Sequence, residues 1–117
     1  IVDLDLKNKD KKIVNSKTFY KLIQRSNGFS LILFQPMTGK THQLRIVSKN
    51  LSCPIIGDNK YNSQSKNKKE VLKLNSHNLK FLFKNKNYEF YSNLPSDFIN
   101  FLKKNKFKTI KKNDLKI

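Results

Sequence analysis

The chain has 117 residues, 37% hydrophobic and 28% charged, and its 25 Lys and Arg against 8 Asp and Glu give a net charge of +17. That leaves room for one small domain or part of a larger one, with enough apolar residues for a small core. A fold this basic repels itself and attracts polyanions through counterion release, so nucleic acid is the leading expected partner and an anionic membrane surface the second.

Ile1 to Leu6 alternates apolar with acidic residues and predicts a short strand with one buried face. Lys7 to Lys12 reads as a charged turn. Lys17 to Arg25 alternates again, with Thr18, Tyr20 and Leu22 on one face, and Ser26-Asn27-Gly28 predicts a hairpin turn. Phe29 to Phe34 is a mostly apolar strand expected to be covered on both faces, and Pro36 ends it. A helix is expected from about Thr41 to Leu51, capped by Thr38 or Thr41, with Leu44, Val47 and Leu51 on its apolar face. Pro54 stops it, and Ile55-Ile56-Gly57-Asp58 reads as a short buried segment and a turn. Asn62 to Lys69 is polar and Lys-rich, the composition of a mobile loop. Leu72 to Phe83 predicts a strand with Leu79, Phe81 and Phe83 on one face, and Lys84 to Asn87 turns the chain into Tyr88 to Tyr91. Ser96 is placed to cap a short amphipathic helix carrying Phe98, Ile99, Phe101 and Leu102. The order β-β-β-α-(β)-loop-β-β-α argues for an α+β fold with a mainly antiparallel mixed sheet and flanking helices. Residues 1–103 form the folded part, and 104–117 is a basic tail expected to be frayed or RNA-associated.

One cysteine, Cys53, excludes an internal disulfide and is expected to be a small semi-buried residue. Two histidines, His42 and His77, are too few for a convincing zinc site. No apolar run approaches the length of a membrane span and no signal peptide is visible, so a cytoplasmic protein is expected. The sequence starts at Ile1 rather than Met, and is expected to be part of a longer chain.

The chemistry concentrates at Met37-Thr38-Gly39-Lys40-Thr41-His42-Gln43-Leu44-Arg45, where an apolar strand ends in a Gly turn and feeds a helix. His42, Arg45 and Lys49 recur at helical spacing, a cationic stripe suited to an anion. Gly39-Lys40-Thr41 suggests a phosphate-cradling P-loop, but Phe34 stands where that loop needs its first glycine. An ordinary strand–turn–helix with solvated polar residues is the plain alternative. Arg45 stands out, because arginine otherwise occurs only at position 25 in a chain that uses Lys almost everywhere. An arginine here suggests a need for a planar, bidentate, permanently charged group.

Thr38 to Arg45 also resembles the T-G-[RK]-T-H-Q-[IL]-R motif of the RluA-type pseudouridine synthases. Thr18-Phe19-Tyr20-Lys21-Leu22 is similar to that family's strand T-x-Y-[KR]-[LV]. Leu51 with Pro54-Ile55-Ile56-Gly57-Asp58 fits L-x-x-P-I-x-G-D without a gap, and Tyr61 matches the tyrosine that follows. Leu72-Lys73-Leu74-Asn75-Ser76 resembles L-x-L-H-A, and Leu94-Pro95-Ser96-Asp97-Phe98 the closing L-P-x-D-F. The resemblance covers nearly the whole chain and points to the second half of the catalytic domain. Val47 and Asn75 stand where the family commonly has histidine, and Ser52 where it has glycine. The family's upstream motif, H-R-L-D-x-x-T-S-G, with the catalytic aspartate, has no counterpart in this sequence.

The resemblance implies an enzyme that isomerises uridine in RNA: the base–ribose bond breaks, the uracil turns, and it is rejoined through carbon. Arg45 is then the partner of a catalytic aspartate outside this chain, and Leu44 walls the uracil pocket. Lys40, His42 and Lys49 are expected phosphate contacts, for a target base flipped out of its stack. Asp58 reads as a structural turn whose carboxylate takes local backbone N–H groups, and Tyr61 as a residue that stacks or supports the loop. No metal or other cofactor is implied. The expected partner is large-subunit ribosomal RNA, with transfer RNA as the second choice, no membrane, and a monomer when complete. The competing function, from a different class, is a non-catalytic basic RNA-binding module.

Overall fold

The computed structural model describes residues 2–7, 13–62 and 70–117. The expected turn after Lys7 and most of the expected Asn62–Lys69 loop lie outside the described residues. Strands β1 (Val2–Lys7), β2 (Ile13–Ser26) and β3 (Phe29–Pro36) form one antiparallel meander. Strands β4 (Asn78–Phe83) and β5 (Lys86–Tyr91) form a separate antiparallel hairpin. Helix α1 (Gln43–Asn50) follows β3, helix α2 (Ser96–Lys104) follows β5, and a 3-10 turn spans Lys112–Leu115. The α+β class is borne out. Every pairing among the described residues is antiparallel, and the strands fall into two sheets rather than one.

The alternation in β1 works as expected: Val2 and Leu6 are buried while Asp3 and Asp5 face out. Val2 pairs with Thr18 and Leu4 with Ser16, so the inward face of β2 begins with two small hydroxyl residues, both fully buried. The Ser16 hydroxyl donates to the Leu4 carbonyl at 3.1 Å, which removes the cost of burying it. Asn27 and Gly28, at φ 54° and 79°, make the two-residue turn between β2 and β3. The pairing of β2 with β3 shifts register between Leu22 and Gln24, and Tyr20 and Leu22, ahead of that shift, are exposed. The expectation that Phe29–Phe34 is covered on both faces does not hold: Ser30 is exposed and the apolar residues of β3 are half-buried, with Phe29 meeting Phe101 of α2 edge to face at 5.0 Å.

Helix α1 packs on all three strands of the meander. Its buried face is Gln43, Val47 and Ser48, rotated from the Leu44–Val47–Leu51 face expected; Leu44 and Leu51 are half-buried. Neither Thr38 nor Thr41 caps it. His42 holds the cap position in the left-handed region, at φ 53°, without a side-chain cap. The helix ends with Ser52 at φ 61°, doing what a glycine usually does, and Cys53 N–H closes the turn on the Ser48 carbonyl at 2.9 Å. Cys53 itself is exposed, not semi-buried. The Ile55–Ile56 segment forms turns rather than a strand.

Three further corrections concern the second half. Leu72 to His77 is irregular and the strand begins only at Asn78. Pro95, not Ser96, caps α2. The tail is tied down: Asn105 is buried and accepts from Ser26 and Asn27, Gln24 and Lys108 exchange hydrogen bonds, and the Lys21 ammonium donates to three carbonyls between Asn113 and Lys116. Lys73, its side chain nearly buried between Glu70 at 2.7 Å and Asp97 at 3.3 Å, joins the irregular segment to α2, and its backbone N–H bonds the Ile56 carbonyl.

Gly57 sits at φ +85°, and a Cβ there would lie 2.3 Å from the Val71 carbonyl oxygen; one at Gly39 would meet nothing within 4 Å. Gly57→Ala should therefore lower unfolding stability by about 2 kcal/mol or more. Gly39→Ala should change it by less than about 0.5 kcal/mol. Urea unfolding followed by circular dichroism measures both.

Candidate functional site

The segment from Thr38 to Tyr61 is held at two ends. At the first, Gln43 is the fastener. Its side-chain amide donates to the Lys17 carbonyl at 3.1 Å and the Thr18 hydroxyl at 2.8 Å, both on β2. Its carbonyl oxygen accepts from the Thr38 hydroxyl at 2.8 Å and the Lys40 backbone N–H at 3.0 Å. Thr38 in turn accepts the Lys17 N–H, and Met37 N–H bonds the Lys17 carbonyl. The loop carrying Gly39 and Lys40 is thereby pinned to β2 before α1 begins. A polar residue this buried is tolerable because its amide is satisfied on both sides.

At the second end, Arg45 and Asp58 form a bidentate pair. Nε donates to Oδ2 at 3.0 Å and Nη2 to Oδ1 at 2.8 Å. Asp58 is 1% exposed, and its Oδ1 also accepts the backbone N–H groups of Lys60 and Tyr61, each at 3.0 Å. The hydrogen bonds from Arg45 hold the Asp58 carboxyl well below its ordinary value of 3.8, at about 2. Burial opposes this, and the Tyr61 and Lys60 N–H groups reinforce it. The same pairing with Asp58 raises the Arg45 pKa further. The Arg45 side chain keeps 22% of its surface, and Nη1 lies outside the pair.

Tyr61 links Arg45 to His42, the residue that precedes α1. The Arg45 guanidinium carbon lies 5.1 Å from the centre of its ring. Its hydroxyl is 3.0 Å from His42 Nδ1, and the two rings meet edge to face at 5.7 Å.

The structure therefore brings His42 and Arg45 together through Tyr61. Leu44 is half-buried on α1. Lys40 and Lys49 are exposed, and neither ammonium contacts the cluster among the described residues. The expectation that Asp58 collects local backbone N–H groups is borne out. The carboxylate paired with Arg45 in this structure is also Asp58, which the sequence reading missed. Gln43 was missed as well, although its place four residues before Val47 puts it on the buried face of the helix. Among the described residues no group of three or more His, Cys, Asp or Glu could hold a metal ion. No helix of the described residues is long and apolar enough to cross a membrane.

The cluster is thus a buried carboxylate holding a partly exposed arginine on a very basic α+β chain. Comparison with known proteins narrows the class. No protein-family model matches the chain, and no solved structure matches it. Curated proteins do. The chain is 35% identical over 109 residues to ribosomal large subunit pseudouridine synthase D of Borreliella burgdorferi, which takes in 86% of this chain and 33% of that protein. It is 43% identical over 65 residues to ribosomal large subunit pseudouridine synthase C of Rickettsia conorii, covering 55% of this chain and 20% of the relative. With the Rickettsia felis counterpart it shares 50% over 48 residues, 16% of that relative. The chain thus spans a third or less of these relatives' length. With 86% of the chain inside the Borreliella match, Thr38–Asp58 lies within it whichever end is left out. These matches bear out the resemblance to the RluA-type family: the chain is a relative of the ribosomal large subunit pseudouridine synthases over a segment of them.

The Arg45–Asp58 pair has a pH signature. A carboxyl whose folded value lies below its unfolded one stabilises the fold above the unfolded value, and that stability is lost as pH falls. About 2 kcal/mol should disappear between pH near 4 and pH near 2, and Asp58→Asn should flatten this limb in unfolding measured against pH. Arg45→Met should cost about 3 kcal/mol at neutral pH, because it strands a buried charge. Arg45→Met combined with Asp58→Asn should cost less than the two added together.

Proposed function

We propose that this chain supplies the arginine-bearing part of an RNA uridine isomerase acting on large-subunit ribosomal RNA. The supporting observation is the preorganised guanidinium: Asp58 fixes two donors of Arg45, Tyr61 covers its face, and Nη1 is left over. A catalytic aspartate on the rest of such an enzyme must be ionised to attack and must keep that charge in a partly closed pocket. A guanidinium already immobilised can hold it charged and aimed without losing side-chain freedom during the reaction. Leu44, half-buried beside Arg45, is then the apolar wall for the uracil. Lys40, His42 and Lys49 contact phosphates on either side of the flipped nucleotide. Gly39 fits this reading, since its open surface lets a backbone pass close by. The chain alone is inactive on this reading, because its sequence lacks the aspartate motif.

The test joins this chain to the part of the Borreliella relative that lies N-terminal to its matched segment, and assays pseudouridine in ribosomal RNA. Arg45→Lys should lower isomerisation roughly a hundredfold while RNA affinity stays within about twofold, because a single ammonium cannot reproduce the fork. Robust RNA binding without isomerisation by the joined protein would favour the basic binding module, the reading that the charge of +17 supports. For the contacts themselves, Lys40→Ala should weaken RNA binding and reduce the slope of log affinity against log salt by about 0.7 for a single strand.

A further inference from the structure

The β4–β5 hairpin carries a cluster of exposed large apolar residues that the functional reading leaves unused. One face carries Leu79, Phe81, Phe83, Tyr88 and Phe90, and Leu82 and Tyr91 stand on the other. Leu82 is 66% exposed, Phe90 56% and Tyr91 71%. The run Phe81-Leu82-Phe83 is apolar at consecutive positions, the pattern of a strand covered on both sides rather than one facing water. A two-stranded sheet cannot sustain this alone, since an isolated hairpin is marginally stable at best. Among the described residues the outer edges of β4 and β5 pair with no further strand.

Three occupants compete. A second copy would bring another +17 against this one. A single-stranded nucleic acid would need open ring faces, but Phe81 stacks on Tyr88 at 5.1 Å and on Phe90 at 5.9 Å, so those faces already meet each other. Leu79, Leu82 and Phe83 fit shape-matched protein better than bases. The third occupant follows from length, because the Borreliella relative is matched over only 33% of itself while 86% of this chain is used.

We propose that this hairpin is a docking surface for the remaining catalytic-domain segment of a pseudouridine synthase, which adds strand to its edges and covers its apolar face. The inference rests on the functional reading above for the identity of the partner. That partner's surface is correspondingly apolar, with backbone N–H and C=O groups free to extend the sheet.

The experiment mixes this chain with the part of the Borreliella relative N-terminal to its matched segment, as separate polypeptides. Native mass spectrometry should find a one-to-one complex, and amide exchange should slow across residues 78–91. Phe81→Lys and Leu82→Lys should each weaken the complex roughly tenfold or more. Leu82 is 66% exposed on the face away from the stacked rings, so the circular dichroism spectrum of Leu82→Lys should match that of the unsubstituted chain and separates lost docking from lost hairpin. Four outcomes would overturn the proposal: no complex; a complex that leaves residues 78–91 exchanging as before; self-association that Phe81→Lys abolishes; or protection of the hairpin by single-stranded RNA alone. Isomerisation is read separately. A hairpin-dependent complex without isomerisation supports the docking surface and counts against the functional reading. Isomerisation with the hairpin unprotected overturns the docking surface and leaves the functional reading intact.

Discussion

A carboxylate with 1% of its surface exposed cannot stay ionised unless its oxygens are fully engaged, and Asp58 meets that demand with four donors from three residues. Those donors fix more than a charge. The Lys60 and Tyr61 N–H groups set the turn that follows Asp58, and Gly57 sets the one before it at a backbone angle other residues resist. The two Arg45 bonds then bind this turn to α1 at a chosen azimuth. Tyr61, placed by that turn, reaches back to His42 and over Arg45. Position, charge state and orientation of the site thus descend from one buried ion pair.

The pair could not work on a drifting helix. A small apolar core, with Val47 its best-buried member, gives α1 limited purchase on the sheet. Gln43 compensates with directed bonds to β2 that also gather Thr38 and the Lys40 backbone. Hydrogen bonds supply register where the burial of methyl groups would supply only adhesion. This explains why a polar residue occupies the most protected face of the helix, bonded to the fully buried hydroxyl of Thr18.

Much of this was legible in the residues. The alternation of Val2 to Leu6, the Asn27-Gly28 turn and the position of α1 follow from local chemistry, and Asp58 was readable as an acceptor of nearby N–H groups. What local chemistry could not supply was pairing across the fold. The partnership of Arg45 with Asp58 depends on how the chain returns after Pro54. The burial of Gln43 depends on β2, twenty-five residues earlier for the Thr18 contact. The tail was misread for the same reason. Its lysines suggested a solvated segment, whereas Asn105 and the carbonyls from Asn113 to Lys116 find donors on β2 and at the turn that follows it. The Ser30 side of β3 went the other way, since an apolar run does not say whether a second layer exists to cover it.

The two arginines separate composition from function. Arg25 is exposed near the end of β2. Arg45 engages both oxygens of one carboxylate and still keeps a nitrogen outside the pair, which a lysine cannot do. Pairing with Asp58 also cancels most of the long-range field of Arg45. The rest of the chain's positive charge sits almost wholly on lysines, the exposed Lys40 and Lys49 among them, while the charge of Arg45 is held at short range by Asp58. Bulk charge and a fixed, directed guanidinium therefore reside on different side chains.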